Sequence, residues 1–276
     1  MRALAGRAAA LHGPAMNGND DQAEMPPTQP AATVVVFRHN PAGGAPQILL
    51  VERSGAMVFA GGATVFPGGK VDPADHDLAQ TLAQGSDPAD IAARIAGIRE
   101  TLEETGLVVG VKETVTQDAA GLARRALISH GRLDTVLADF GWTLDLDALV
   151  PFARWWPKHR EVRVYDTRFY LANLGTGAVE LAADATENRH LFWASAGEAL
   201  ELADTGRIKV IFPTRRNLER LAQWPDFESA RAHALATPIV TISPQVIERD
   251  GQPWLMIPEN AGYPVHGEPL GGAQRG

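Results

Sequence analysis

The 276-residue chain contains no cysteine, which excludes disulfide bonds, cysteine nucleophiles and thiolate zinc sites. A chain without cysteine is compatible with a reducing compartment, and we expect a cytoplasmic location. Long apolar runs are also missing, since none approaches the ~20 residues that a membrane helix needs. The sequence therefore predicts no membrane partner.

Positive charge is in short supply as well. Lys and Arg number 25 against 33 Asp and Glu, and the formal net charge is −8. A large basic surface is therefore not expected, and neither is a nucleic-acid partner. An acidic protein that binds phosphate groups needs local cations or metal ions at the binding site. Hydrophobic residues make up 45% of the chain, so a sizeable core can form.

The chain divides into three predicted segments. Residues 1–31 are rich in Ala, Gly, Pro, Asn and Gln, and we predict a disordered tail there. Residues 32–225 interleave strand and helix patterns, which indicates an α/β or α+β sandwich. Residues 238–265 are predicted as an appended β-hairpin, because Asp250-Gly251 is a strong turn signal. The hairpin packs either on the domain or at the contact of a homodimer.

A helix over residues 88–105 is predicted with well-defined ends. Asp87 supplies an N-cap side chain, Pro88 suits the first helical position, and Gly106 suits the C-terminal cap. Residues 70–87, which precede the helix, are predicted to form a polar loop.

The acidic residues of this helix group on one side. An apolar stripe at the helical period is formed by Ile91, Ile95, Ile98 and Leu102. Glu100, Glu103 and Glu104 lie together away from it, because positions i, i+3 and i+4 are neighbours on a helix. Three carboxylates within one turn repel each other, and a divalent cation converts that repulsion into a binding site. For a glutamate-rich helix taken alone, a solvated acidic face is the more common explanation.

The surrounding sequence favours the metal site. Residues 99–107 (RETLEETGL) resemble the second half of the Nudix box, and residues 66–72 (FPGGKVD) are similar to its first half. The resemblance implies a Nudix-type α/β/α sandwich with a mixed sheet, in which a loop-helix-loop binds Mg²⁺ or Mn²⁺. It also implies a hydrolase that cleaves the pyrophosphate bond of a nucleoside diphosphate linked to another moiety, a small-molecule partner.

This box departs from the usual pattern. The step from Gly69 to Arg99 is 30 positions rather than 14, with an insert at about residues 76–91, and Asp75 replaces the first glutamate. A second, mostly helical insert is predicted over about residues 113–150. The long insert resembles a subgroup that contains the mammalian peroxisomal coenzyme A diphosphatase. Coenzyme A or an acyl-coenzyme A is therefore the favoured substrate, and a non-catalytic domain that senses a nucleotide or binds a protein is the alternative.

The resemblance assigns roles to residues of the box. Glu100, Glu103 and Glu104 would be metal ligands, and one of them, or a metal-bound water, would provide the nucleophile. Which glutamate acts as the base stays open. Gly69 would add a backbone carbonyl ligand or simply form a tight turn. Arg99 would orient the acidic cluster as an ion-pair partner, with Glu103 in reach at i+4.

Further candidates lie outside the box. Glu187 precedes a tryptophan by six residues, a spacing at which some Nudix enzymes place another ligand or base, and Asp184 competes for this role. Arg53 and Lys70 are candidate phosphate contacts, although each is more often a plain surface charge. Core packing is predicted, ahead of stacking on a base, for three aromatic residues, Trp155, Trp156 and Tyr165.

One more basic residue is a candidate for substrate binding. Arg168 lies in the middle of a predicted strand, within an aromatic context. It could pair with Asp166 or reach the substrate, and the sequence favours neither.

Overall fold

The structure is a computed structural model, and it describes residues 27–53, 61–83, 85–157, 164–174 and 190–273. Within these ranges the chain forms an α/β/α sandwich, with helices on both faces of a mixed sheet. The predicted fold class is confirmed.

The central sheet has eight strands in the part of the chain that is described. In chain order they are β1 (Thr28–Arg38), β2 (Gln47–Glu52), β3 (Thr64–Val65), β4 (Gly68–Lys70), β5 (Val150–Trp155), β6 (Val164–Asn173), β7 (His190–Ala194) and β8 (Thr241–Ile242). The parallel pair β1 and β6 lies at the centre, and β2 and β4 pair antiparallel with opposite ends of β1. The strand β5 pairs antiparallel with β6, and β8 pairs parallel with β5.

Seven α-helices are described. They are α1 (Pro73–Leu82), α2 (Pro88–Thr105), α3 (Gln117–His130), α4 (Leu133–Phe140), α5 (Ala196–Asp204), α6 (Phe212–Leu221) and α7 (Phe227–Ala236). The core side chains of α1, α2 and α4 pack with Val34 and Val36 of β1, whereas those of α5, α6 and α7 pack with Val35 and Phe37. The two-residue alternation of a strand thus gives each helical layer its own core. None of the helices described is both long and apolar enough to cross a membrane.

The predicted helix over residues 88–105 is confirmed, with the expected ends. The Asp87 side chain accepts a hydrogen bond from the Ala89 N–H at 3.0 Å. Gly106 adopts the left-handed conformation, with φ 74°, and its N–H donates to the Leu102 carbonyl at 2.9 Å. This capped helix carries the acidic cluster.

Two predicted boundaries are wrong. Residues 28–31 belong to β1 rather than to a disordered tail, because pairing with β6 and β4 satisfies their backbone groups. The predicted loop over residues 70–87 contains α1. The sequence contains the capping signal for α1, because Pro73 follows Asp72 and an acidic residue, Asp75, stands three positions after Asp72. In the structure the Asp72 N–H donates to the Asp75 carboxylate at 2.9 Å.

The C-terminal segment forms a second sheet of three strands, β9 (Gln245–Arg249), β10 (Gln252–Met256) and β11 (Gly267–Pro269). Its first turn is the predicted Asp250-Gly251 turn, in which both residues have positive φ. The segment packs on the main domain through Tyr263, whose hydroxyl accepts from Trp155 Nε1 at 3.0 Å and donates to Asn217 Oδ1 at 2.6 Å. A homodimer contact stays a prediction.

Candidate active site

The last turn of α2 lies against β4. The Gly68 N–H donates to Glu104 Oε2 at 3.0 Å. A Cβ atom placed on Gly69 would overlap the carboxylate of Glu100, so only glycine leaves this carboxylate its position. Gly69 therefore permits the close approach of the acidic helix, and the Gly68 N–H holds the last turn of that helix.

Arg99 connects the three parts of the box. Its buried guanidinium donates to the Asp75 carboxylate at 3.0 and 3.1 Å, and to the Lys70 carbonyl at 2.8 Å. It also donates to Glu100 Oε1 at 2.9 Å, whereas the predicted pair with Glu103 is longer, at 3.5 Å. Arg99 thus holds α1 and β4 to α2 and orients the Glu100 carboxylate.

The electrostatics of Glu100 are unusual. Burial raises the pKa of this carboxyl group to about 7, and the charges of Glu104 and Glu103 act in the same direction. Arg99 opposes the shift through its charge and its hydrogen bond. A nearby divalent cation would favour the ionised form of such a carboxyl group.

The donor types suit a hard divalent cation. Carboxylates and backbone carbonyl oxygens are the ligands that Mg²⁺ and Mn²⁺ prefer, and the space that glycine leaves at position 69 is filled by the Glu100 carboxylate. No three Asp, Glu or His side chains already converge as a ligand set among the residues described. Glu103 is the most exposed of the three glutamates, with 46% of its side chain exposed, and its carboxylate lies 3.5 Å from the Arg99 guanidinium. The predicted metal site stays a prediction.

The sheet register distinguishes the two glycines as carbonyl donors. Hydrogen bonds from the N–H groups of Val34 and Val71 flank the pair of Ala32 and Gly69. Since bonded pairs alternate in an antiparallel ladder, the Gly69 carbonyl faces β1. Gly68 faces away from β1, towards the end of α2. The predicted role of the Gly69 carbonyl does not fit this register, and Gly68 is the better-placed carbonyl.

A cavity of about 750 Å³ opens beside the cluster, a volume typical of small-molecule sites. Glu100 and Glu104 line it, together with both glycines, but Glu103 does not. The two predicted phosphate contacts, Arg53 and Lys70, also line it. The structure thus brings together four of the predicted charged residues at one cavity.

Arg168 is not among them. Its side chain lies on the far face of β6, 3.6 Å from Asp90 at the start of α2, while its neighbour Thr167 faces the cavity. Asp166, the other candidate partner of Arg168, instead pairs with Arg154 at 2.6 Å. The prediction that Arg168 reaches the substrate does not fit this placement. Glu187 and Asp184 lie outside the residues that the structure describes.

Part of the cavity wall was not predicted from the sequence. Residues of the C-terminal segment line it, namely Pro244, Gln245, Val246 and Leu255. The start of α6 contributes Pro213 and Thr214. Trp155 is buried in the core as predicted, edge-on to Phe212 and Tyr263, and also borders the cavity. No local sequence signal marks these positions, because only tertiary contacts bring them to the site.

No protein-family model matches the chain. A solved NUDIX hydrolase from Alicyclobacillus acidocaldarius is 27% identical, with a TM-score of 0.63, over 75% of this chain and 96% of that one. The chain has the Nudix fold. This likeness supports the Nudix superfamily, and in Nudix terms β4, α1 and α2 form the box. The expected loop-helix-loop therefore contains an additional helix, α1, which carries Asp75 and continues into the long insert.

Two other solved structures show weaker likeness. The MutT protein from Methanosarcina mazei Go1 has a TM-score of 0.39 at 16% identity, over 71% of this chain and 94% of that one. The NUDIX domain of Shewanella oneidensis NrtR, complexed with ADP ribose, has a TM-score of 0.37 at 14% identity, over 73% of this chain and 90% of that one.

Proposed function

We propose that this protein is a metal-dependent hydrolase that cleaves the pyrophosphate bond of a nucleoside diphosphate linked to another moiety. One observation carries the proposal. Glu100 and Glu104 face a cavity of small-molecule size at the end where Lys70 and Arg53 also line it. Carboxylates for a cation and basic groups for phosphate oxygens are the two requirements of pyrophosphate chemistry.

The residues of the chain divide the work. Glu100, Glu104 and the Gly68 carbonyl would hold Mg²⁺ or Mn²⁺, with Glu103 turning in from its exposed position. Such a cation supplies charge stabilisation and an activated water when it is bound. Arg99 keeps Glu100 in place through a contact of 2.9 Å. Arg53 and Lys70 would bind the phosphate oxygens and orient the bond to be cleaved.

Coenzyme A or an acyl-coenzyme A is the substrate that we propose within this class. Two features support this substrate: the long-insert box, which resembles that of coenzyme A diphosphatases, and a cavity long enough for more than a diphosphate. Other nucleoside diphosphate derivatives are the alternative substrates, and the same assay includes them.

The test is product release from a panel of pyrophosphate compounds, with Mg²⁺ or Mn²⁺ and with chelator. The panel contains coenzyme A, ADP-ribose, a nucleotide sugar and a dinucleoside polyphosphate. We expect metal-dependent cleavage that Glu104→Gln reduces by at least about 100-fold, because a ligand matters more than the outer-shell groups whose loss costs roughly 10–100-fold. The matched control is Glu201→Gln, an exposed glutamate on α5 that does not line the cavity.

A folded protein that cleaves none of these compounds in the presence of metal would refute the proposal. The non-catalytic Nudix domain would then be the better description. A cytoplasmic location and a homodimer are further proposals, supported so far by the cysteine-free sequence and by the appended strands. Cell fractionation and light scattering test them, and a membrane-associated or monomeric protein would refute the respective proposal.

A further inference from the structure

The cavity extends well beyond the acidic cluster, across several strands of the sheet. Its floor follows neighbouring strands from β4 through β1 and β6 to β5. The register joins Gly69 to Ala32 and Thr167 to Trp155, while β1 and β6 are neighbours throughout. Three strand spacings of about 4.8 Å make this distance about 14 Å. A diphosphate group at the acidic end fills only a part of it.

The two ends of the cavity differ in chemistry. Four charged side chains line it among the residues described, and all come from α2 or from the β2 and β4 side of β1, namely Arg53, Lys70, Glu100 and Glu104. The end beyond β6 is lined mainly by apolar groups, including Trp155, Phe212, Pro244, Val246 and Leu255. A charged group there would lose hydration without gaining a described partner, whereas an apolar group would gain from burial.

The C-terminal segment builds the outer wall of this apolar end. Val246 of β9 is paired with Leu255 of β10, so both side chains lie on one face of the small sheet. Leu255 is buried against the core, while Val246 is 52% exposed at the rim. Ile247, the next residue along β9, is 44% exposed but does not line the cavity, because alternation turns it to the other face.

We propose that this apolar end binds an uncharged, apolar group that the substrate carries beyond its diphosphate, and that Val246 and Leu255 determine specificity for it. The inference rests on the proposed function, whose pyrophosphate site defines the other end of the same cavity. Continuity with that site and a span of about 14 Å from β4 to β5 identify the occupant as a tail of the substrate itself. Both residues stand in the wall and act on binding, away from the reacting atoms.

The experiment compares coenzyme A with octanoyl-coenzyme A, two probes that share the nucleotide, the diphosphate and the pantetheine arm and differ only in the apolar octanoyl tail. Each is measured twice, as kcat/KM with Mg²⁺ and as a dissociation constant by calorimetry with chelator, where no turnover occurs. Val246→Asp is the test variant, because its exposed position tolerates the change. Ile247→Asp is the matched control, with the same substitution one residue along the same strand.

We expect the preference for octanoyl-coenzyme A over coenzyme A to fall about tenfold in Val246→Asp and to stay unchanged in Ile247→Asp. An unchanged preference in Val246→Asp, or an equal loss on both probes, would overturn the inference, since the tail would then lie elsewhere. Tail-dependent binding without cleavage would refute the proposed hydrolase activity and support the binding of the tail. Cleavage that does not depend on the tail would support the hydrolase activity and refute the binding of the tail.

Discussion

Glycine at position 69 leaves space that the Glu100 carboxylate occupies. The three atoms nearest to a Cβ placed at this position all belong to the end of this flexible side chain. At Gly68 the situation differs, because a Cβ would meet the backbone of Ala32 and Thr33. Neighbouring glycines therefore have separate physical roles, one for the position of a carboxylate and one for the packing of two strands.

We expect Gly69→Ala to reduce metal-dependent activity at least about tenfold and to change the free energy of unfolding by less than about 1 kcal/mol, because only a carboxylate has to move. Kinetics and urea unfolding measure the two effects. The control is Gly197→Ala on α5, where a Cβ meets no atom within 4 Å. Full activity of Gly69→Ala would show that the position of Glu100 does not matter for catalysis.

We expect Gly68→Ala to affect stability more than Gly69→Ala does. Its Cβ would force β4 away from β1, so we expect the free energy of unfolding to fall by about 1–3 kcal/mol. Equilibrium unfolding in urea, with Gly69→Ala in parallel, measures this difference. Equal stability of the two variants would contradict the assigned roles.

At the scale of elements, the box is held together by the contact of α1 with α2. Asp75 of α1 is buried and receives three hydrogen bonds from Arg99 of α2. The sequence marks Asp75 only as a substitute for the first glutamate of the box. The structure shows why a shorter acid suffices, since α1 brings its carboxylate directly to the guanidinium.

Asp75→Asn should destabilise the protein by about 3–5 kcal/mol, the usual cost of removing one partner of a buried ion pair. It should also lower activity, because Arg99 orients Glu100. Asp77→Asn is the control on the same helix, with 65% of the Asp77 side chain exposed. Thermal and urea unfolding measure the effect, and equal stability of the two variants would exclude a structural role for the buried pair.

At the scale of the whole molecule, α6, α7 and the C-terminal segment meet around a buried arginine. Arg220 donates to the Phe152 carbonyl at 2.9 Å and to His233 Nε2 at 3.1 Å, and lies over the ring of Tyr263. His233 must be neutral to accept this hydrogen bond. Burial and the charge of Arg220 lower the pKa of His233 below its ordinary value.

A lowered histidine pKa makes the protein sensitive to acid. Below about pH 6.5 the unfolded chain takes up a proton at His233 that the folded protein does not, so the free energy of unfolding falls as the pH falls. Urea unfolding between pH 7.5 and 5 measures this slope. We expect His233→Gln to flatten it and the control His76→Gln, at an exposed site on α1, to leave it unchanged. A slope that persists in His233→Gln would assign the acid sensitivity to other groups.

The local features of the site were predictable from the sequence, because they depend on neighbours along the chain. The ends of α2 follow from Asp87, Pro88 and Gly106, and the placement of the glutamates on one side follows from the helical period. The helix α1 replaces a predicted loop, although its capping signal is equally local. The strand content of the central domain and the Asp250-Gly251 turn belong to the same class of short-range signals.

The sequence by itself thus determined the acidic helix and its caps, and the resemblance of residues 66–72 and 99–107 to the Nudix box implied the fold. Only the tertiary structure decided which side chains meet at the cavity. Because of the strand register, Arg168 lies on the far face of the sheet and the Gly69 carbonyl faces β1. The return of the C-terminal segment brought Val246 and Leu255 to the cavity. Helical periodicity and capping act within a few residues, whereas register and wall contacts join positions far apart in the chain, so no local pattern encodes them.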